Sequence, residues 1–166
     1  APWAPHFQMH TSIACELQKL VVENFPVHQG RQGVTGHSMG GHGAITLALR
    51  HPEQYRAVSA FAPIALPSGS DWGRKQLGAY LGPDEEAWRG HDSTMLVRDR
   101  GYPSGILIDQ GGADQFLDLL KPEALAAALA TRRQASVFRI QPGYDHSYNF
   151  VASFMEDHLR WHAERL

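Results

Sequence analysis

An α/β fold, with parallel strands and helices packed on both faces of the sheet, is the class this sequence predicts. Short apolar runs alternate with segments of helical period along the chain, the pattern of βα units and not of an all-helical or all-strand domain. The 166 residues are 43% hydrophobic and 19% charged, which suits one globular domain able to bury a core without disulfides or a structural metal. No internal repeat or low-complexity tract interrupts it, so a single domain over residues 1–166 is expected.

Residues Phe7 to Phe25 read as an amphipathic helix: Met9, Ile13, Leu17, Leu20 and Val21 share one face, and Pro26 closes it. Cys15 falls on the opposite face, where a solvent-side thiol without a role is expected. "RQGVTG" is the first strand candidate. "GHGAITLALRHP" is a helix that Pro52 ends, and "YRAVSAFAP" is a compact apolar strand. From Pro67 to Gly105 the chain mixes Gly and Pro interruptions with helical pieces such as "EEAWRGH" and "DSTMLVRDR", an excursion over the sheet. "GILIDQGG" is the next buried strand. "KPEALAAALATRR" is a helix with Pro122 in its first turn and basic residues at its end. "ASVFRIQPG" is the last strand and "YNFVASFMEDHLRWHAERL" the terminal helix.

Composition excludes some functions. The formal charge is −2 with acids and bases interspersed, which leaves no electrostatic footprint for nucleic acid or an anionic membrane. No apolar run approaches the roughly 20 residues that span a bilayer. The first residues do not read as a signal peptide, and a single cysteine fits a reducing compartment, so a cytoplasmic protein is expected.

The chemistry concentrates at "TGHSMGGHGA". Gly36-His37-Ser38-Met39-Gly40 matches G-x-S-x-G and stands between a strand and a helix. A serine on such a turn has strained backbone angles, and side chains in place of the glycines would collide with the neighbouring strand and helix. Gly41 and Gly43 extend that close packing. The helix that follows aims N–H groups and its positive end toward charge developing near the hydroxyl. The bland alternative is a glycine-rich turn that serves only structure.

A serine hydroxyl needs a base to remove its proton, and an acid to orient that base, in the order Ser, Asp or Glu, His. Of the ten histidines, His6, His10, His28, His51 and His91 read as ordinary surface. His37 and His42 lie too near Ser38 in sequence to present a ring to its hydroxyl and read as supporting or packing residues. His158 and His162, four apart, lack the glutamate of a metal-binding H-E-x-x-H, since Leu159 occupies that position; they read as an exposed polar helix face. His146 differs. "QPGYDHSYNF" places it in a turn between the last strand and last helix, where the loops of an α/β sheet meet the nucleophile. Asp109, Asp114 and Asp145 are candidate acids: Asp145 adjoins His146 and diverges from it, Asp109 ends a strand, and Asp114 lies on the following loop, which favours it modestly.

Taken together, "GHSMGGHGA", "VSAFAPI", "WGRKQLGAYLG", "IDQGGADQFL" and "GYDHSYNFVASFMEDHLRWHA" resemble the S-formylglutathione hydrolase (esterase D) family of the α/β-hydrolases through essentially the whole chain. The resemblance implies an α/β-hydrolase fold and a triad of Ser38, Asp114 and His146, with Asp114 as the aspartate before Gln115-Phe116. It implies the backbone N–H of Met39 as an oxyanion donor, and Trp72 and Lys75 as candidate substrate contacts. It also implies that the chain, which opens Ala1-Pro2-Trp3, corresponds to the C-terminal portion of a longer protein. On that expectation it holds four strands of a larger sheet and lacks the loop that supplies a second oxyanion donor.

The implied reaction is hydrolysis of S-formylglutathione to formate and glutathione through an acyl-enzyme, a step of formaldehyde detoxification. No metal or organic cofactor is expected, the partner is a small molecule, and the resemblance leaves room for a homodimer. Two alternatives stand beside it: a general short-chain carboxylesterase or acyltransferase, and a catalytically silent fragment whose open sheet edge recruits a partner.

Overall fold

The computed structural model describes residues 2–166; Ala1 lies outside the described residues. Four strands form one sheet in the order β1-β2-β3-β4, every neighbouring pair parallel. They are β1 (Gln32–His37), β2 (Tyr55–Phe61), β3 (Ile106–Gly111) and β4 (Ser136–Gln141). Helices α1 (Met9–Thr11) and α2 (Gln18–Asn24), joined by a π-helical turn over Ser12–Leu17, precede the sheet. Helix α3 (Met39–Arg50) joins β1 to β2. The excursion between β2 and β3 carries α4 (Asp71–Leu81), α5 (Glu85–Arg89) and α6 (Ser93–Asp99), and no strand. A short α7 (Leu117–Leu120) and α8 (Pro122–Arg132) lead to β4, and α9 (Tyr148–Ala163) follows it.

Strand alternation sorts the helices into two layers. Val58 and Ala60 of β2, with Ile106 and Ile108 of β3, pack among Ile45 and Leu49 of α3, Leu96 and Val97 of α6 and Leu125 and Leu129 of α8. The intervening residues face α9: Ser59 meets His162, Phe61 stacks on His158 at 3.6 Å, and Asp109 accepts a hydrogen bond from His158 Nε2 at 2.9 Å. Helices therefore cover both faces, as the sequence alternation implies.

Two expectations fail at the ends of the chain. The apolar stripe of the first helical segment is not buried: Met9, Leu17 and Leu20 are at least half exposed, and Ala14 is the residue sealed against the core. Helical period identifies an apolar face but not what covers it. Conversely, the supposedly exposed histidines of α9 point inward. His158 is 1% exposed. His162 Nε2 lies 2.9 Å from Ser59 Oγ, which donates to Thr35 Oγ1 at 2.8 Å, so the ring nitrogen is the donor in that pair. The His162 ring occupies the space above β1 at Gly33, where an added Cβ would stand 2.2 Å from its Nδ1. His10 and His51, read as plain surface, instead face each other with 2.9 Å between their Nε2 atoms.

Burial, and then the charges of His158 and Arg165, depress the His162 imidazole to about 4, against about 6.5 for a free histidine. The unfolded chain thus takes up this proton first as pH falls. The stability contribution is complete above about 6.5 and is lost between there and about 4. A midpoint of thermal unfolding that declines over this interval is expected, with a shallower decline in His162→Gln; equal slopes would remove His162 as the cause.

Candidate active site

The backbone of Ser38, between β1 and α3, adopts φ 58° and ψ −114°, a left-handed conformation that costs a non-glycine residue about 1–3 kcal/mol. The surrounding chain holds it there. Ser38 N–H donates to Phe61 O at 2.9 Å, and Ser38 O accepts from His42 N at 3.0 Å and Ile64 N at 3.2 Å. The hydroxyl makes no capping bond to its own helix. Because the first bond within α3 runs from His42 to Ser38, the N–H of Met39 is not used inside the helix. Met39 itself is 69% exposed.

The glycines divide by role. A Cβ on Gly36 would sit 2.3 Å from both C and O of Gly40 and 2.9 Å from Gly41 N, all backbone atoms that cannot rotate away. A Cβ on Gly41 would be held at 3.1 Å from the carbonyls of Gly36 and Phe61. Nothing would touch a Cβ on Gly40 or on Gly43, contrary to the collision expected at the first and the close packing expected at the second. Gly36→Ala is expected to destabilise the fold by about 3 kcal/mol through overpacking. Gly43→Ala, inside α3, should stabilise by about 0.5–1 kcal/mol. Urea unfolding of the two variants tests both signs.

His146 and Asp114 meet although 32 residues separate them. His146 Nδ1–H donates to Asp114 Oδ2 at 2.7 Å, with the carboxylate side chain fully buried and the imidazole 11% exposed. Asp114 Oδ1 accepts the Phe116 N–H at 2.8 Å, and its Oδ2 also accepts from Gln110 Nε2 at 2.9 Å. The His146 N–H donates to Gln115 Oε1 at 3.3 Å, which ties the histidine loop to the loop after β3. This ring lies against two others: His37 at 4.5 Å between centroids and, edge-on, Phe116 at 5.2 Å. His37 directly precedes Ser38, so the imidazole stands beside the elbow. No hydrogen bond joins His146 to Ser38 among the described residues; the pairs formed are His146 with Asp114 and with Gln115.

Burial, and then the neighbouring His146, hold the His37 imidazole below its ordinary value, with Asp114 opposing. His37 is thus a neutral ring packed on His146, in keeping with a supporting role. His42 packs by its Nδ1 against Ile64 O at 2.9 Å.

The other two candidate acids are engaged elsewhere. Asp109, fully buried, binds Arg139, His158 and Gln141 on the α9 face. Asp145 caps the next turn by accepting from Ser147 N at 3.0 Å. Trp72 and Lys75 lie exposed on α4 and form no hydrogen bond with Ser38, Asp114 or His146 among the described residues. Sequence reasoning missed Gln110. Its only signal was a second polar residue, after Asp109, near the end of a buried strand and four positions before Asp114.

Comparison with known proteins finds relatives along nearly the whole chain. The family described as "Putative esterase" matches residues 1–161. The S-formylglutathione hydrolase of Paracoccus denitrificans (strain Pd 1222) is 68% identical over 166 residues, covering all of this chain and 60% of the relative. The S-formylglutathione hydrolase of Mus musculus is 48% identical over 99% of this chain and 60% of its own. The solved S-formylglutathione hydrolase of Agrobacterium tumefaciens superposes with a TM-score of 0.95 at 47% identity, over 99% of this chain and 60% of that one. The chain thus spans about 60% of the length of the curated relatives it matches. With its parallel sheet covered on both faces and a match over nearly its full length, the chain belongs to this esterase family.

Proposed function

We propose that Ser38, His146 and Asp114 are the nucleophile, general base and orienting acid of a serine hydrolase that converts S-formylglutathione to formate and glutathione. The observation that carries the reading is the 2.7 Å hydrogen bond from His146 to a buried Asp114, beside a serine in a strained strand-to-helix turn. The names of the relatives support the substrate.

In this mechanism Asp114 holds the imidazole with its proton on Nδ1, leaving Nε2 to take the Ser38 proton as Oγ attacks the formyl carbon. The N–H of Met39, at the positive end of α3, stabilises the oxyanion; one such donor typically contributes about 2.7–4 kcal/mol. Collapse of the tetrahedral intermediate breaks the C–S bond. Because a thiol has a pKa near 8.5, the glutathione sulfur leaves readily and takes the proton that His146 holds, which returns the imidazole to its basic form. Water, deprotonated by the same histidine, attacks the formyl ester. Formate leaves and Ser38 recovers its proton. Formyl is the smallest acyl group, so this reading requires a tight acyl site and places the reaction in formaldehyde detoxification. The lone exposed thiol, Cys15, fits a reducing cytoplasm.

A fluorophosphonate probe and a substrate series test the reading together. One adduct per chain, on Ser38, is expected, with the formyl thioester turned over faster than acetyl and butyryl esters. Failure of the folded protein to label would remove the hydrolase reading. Labelling with faster butyryl turnover would replace it by a general carboxylesterase.

A further inference from the structure

Gln110, the penultimate residue of β3, has a side chain with no solvent exposure. Its Nε2 donates to Asp114 Oδ2 at 2.9 Å, the oxygen that also accepts His146 Nδ1–H at 2.7 Å, and more weakly to Gly111 O at 3.3 Å. The other end of the amide, Oε1, has no protein partner among the described residues. Turning the amide over would direct Oε1 at Asp114 Oδ2, lone pair against lone pair, so the donor must face the carboxylate. A buried amide satisfied on one side only is a poor choice for packing, where an apolar side chain of the same length would need no partner. What the glutamine supplies is directed at Asp114.

We infer that Gln110 is a positioning residue. Its amide N–H fixes the rotamer of the Asp114 carboxylate and shares the load on Oδ2, so that this oxygen stays aimed at His146 Nδ1. The carboxylate then has three donors in three directions: Gln110 from the strand, Phe116 N–H from the loop, and His146. Without Gln110, rotation of the carboxylate about its Cβ–Cγ bond is restrained only by the Phe116 N–H and by the imidazole it is meant to hold. The titratable groups around this point are Asp114, His146 and, beyond it, His37. The inference rests on the triad proposed above.

The test compares Gln110→Met, which keeps length and removes the donor, with Gln110→Glu, which offers an O–H donor only while its carboxyl is protonated. Three readouts are taken: thermal midpoint, kcat and KM with the formyl thioester, and the imidazole N–H resonance of His146 by NMR. Gln110→Met is expected to keep its thermal midpoint, lose about tenfold to a hundredfold in kcat, the loss typical of the outer hydrogen bonds that orient metal-ligating histidines, and leave KM within about twofold. Its His146 Nδ1–H resonance should broaden or shift. Gln110→Glu should recover activity relative to wild type as pH falls and lose it as pH rises and a second carboxylate faces Asp114. A folded Gln110→Met with wild-type kcat and an unmoved resonance overturns the inference. Should Gln110→Met not fold, the pH course of Gln110→Glu decides, a flat ratio to wild type counting against it. If wild type itself neither labels nor turns over, the triad reading fails, while the His146 resonance still reports on Gln110.

Discussion

Ser38→Ala is expected to lower hydrolysis by about 10⁶-fold, leaving only the residual rate that oxyanion donor and binding supply over water, with no fluorophosphonate adduct. Loss of the nucleophile costs a triad hydrolase this much because base and acid then have no proton to move. The stability of the same position should behave in the opposite sense. Ser38 is held at φ 58° by bonds of its own backbone N–H and C=O, and alanine inherits that strain. Glycine does not, since without a Cβ it reaches positive φ at no steric cost. Ser38→Gly should therefore be as inactive as Ser38→Ala but more stable than either serine or alanine by about 1 kcal/mol. Turnover measured against a buffer blank and urea unfolding of all three proteins test the pair. Residual turnover above about one-thousandth of wild type in either variant would place the nucleophile elsewhere.

The elbow was legible because its constraints are local. G-x-S-x-G between an apolar run and a helical one leaves little choice of backbone, and Ser38 sits in the conformation that pattern implies. The Asp114–His146 pair was legible by a different route, from chain order and from the ends of parallel strands lying on one side of the sheet. Choosing Asp114 over Asp109 depended on family resemblance, since both follow or end the same strand. The strand's own alternation could have sorted them: Asp109 lies between Ile108 and Gln110 and points to the α9 face. The inward turn of His158 and His162 was missed although a signal existed. Phe150, Phe154, His158 and His162 recur at four-residue spacing, a single helix face, and reading histidine as polar by default broke that stripe. The exposed stripe of Met9, Leu17 and Leu20 is the opposite case, a face with correct period and no cover among the described residues.

The largest stability effect is expected from Asp109→Ala. Asp109 is fully buried and gathers the Nε and Nη2 groups of Arg139, the Nε2 of His158 and the side-chain amide of Gln141. Burial by itself raises its carboxyl; the bonds from His158, Arg139 and Gln141 outweigh that and bring it to about 2. Removing it leaves the His158 N–H and part of the guanidinium facing a gap. Deletion of one partner from a buried ionic network costs about 3–5 kcal/mol, here about 10 °C in the unfolding midpoint for a chain of this size. Arg139 also binds Asp157 Oδ2 at 2.7 Å, but that carboxylate is 43% exposed, so Asp157→Ala should cost less than about 1 kcal/mol. The contrast separates burial from mere pairing. Because the folded-state value lies below the ordinary carboxylate value, the Asp109 contribution is complete above about pH 4 and fades as pH falls toward 2. The difference between wild type and Asp109→Ala in urea should shrink over that interval. The network also fastens α9 to β3 and β4, and α9 begins two residues after His146. Asp109→Ala should consequently loosen the histidine loop and reduce labelling of Ser38, whereas Asp157→Ala should not. Equal losses in the two variants would mean that α9 is held by its apolar face alone.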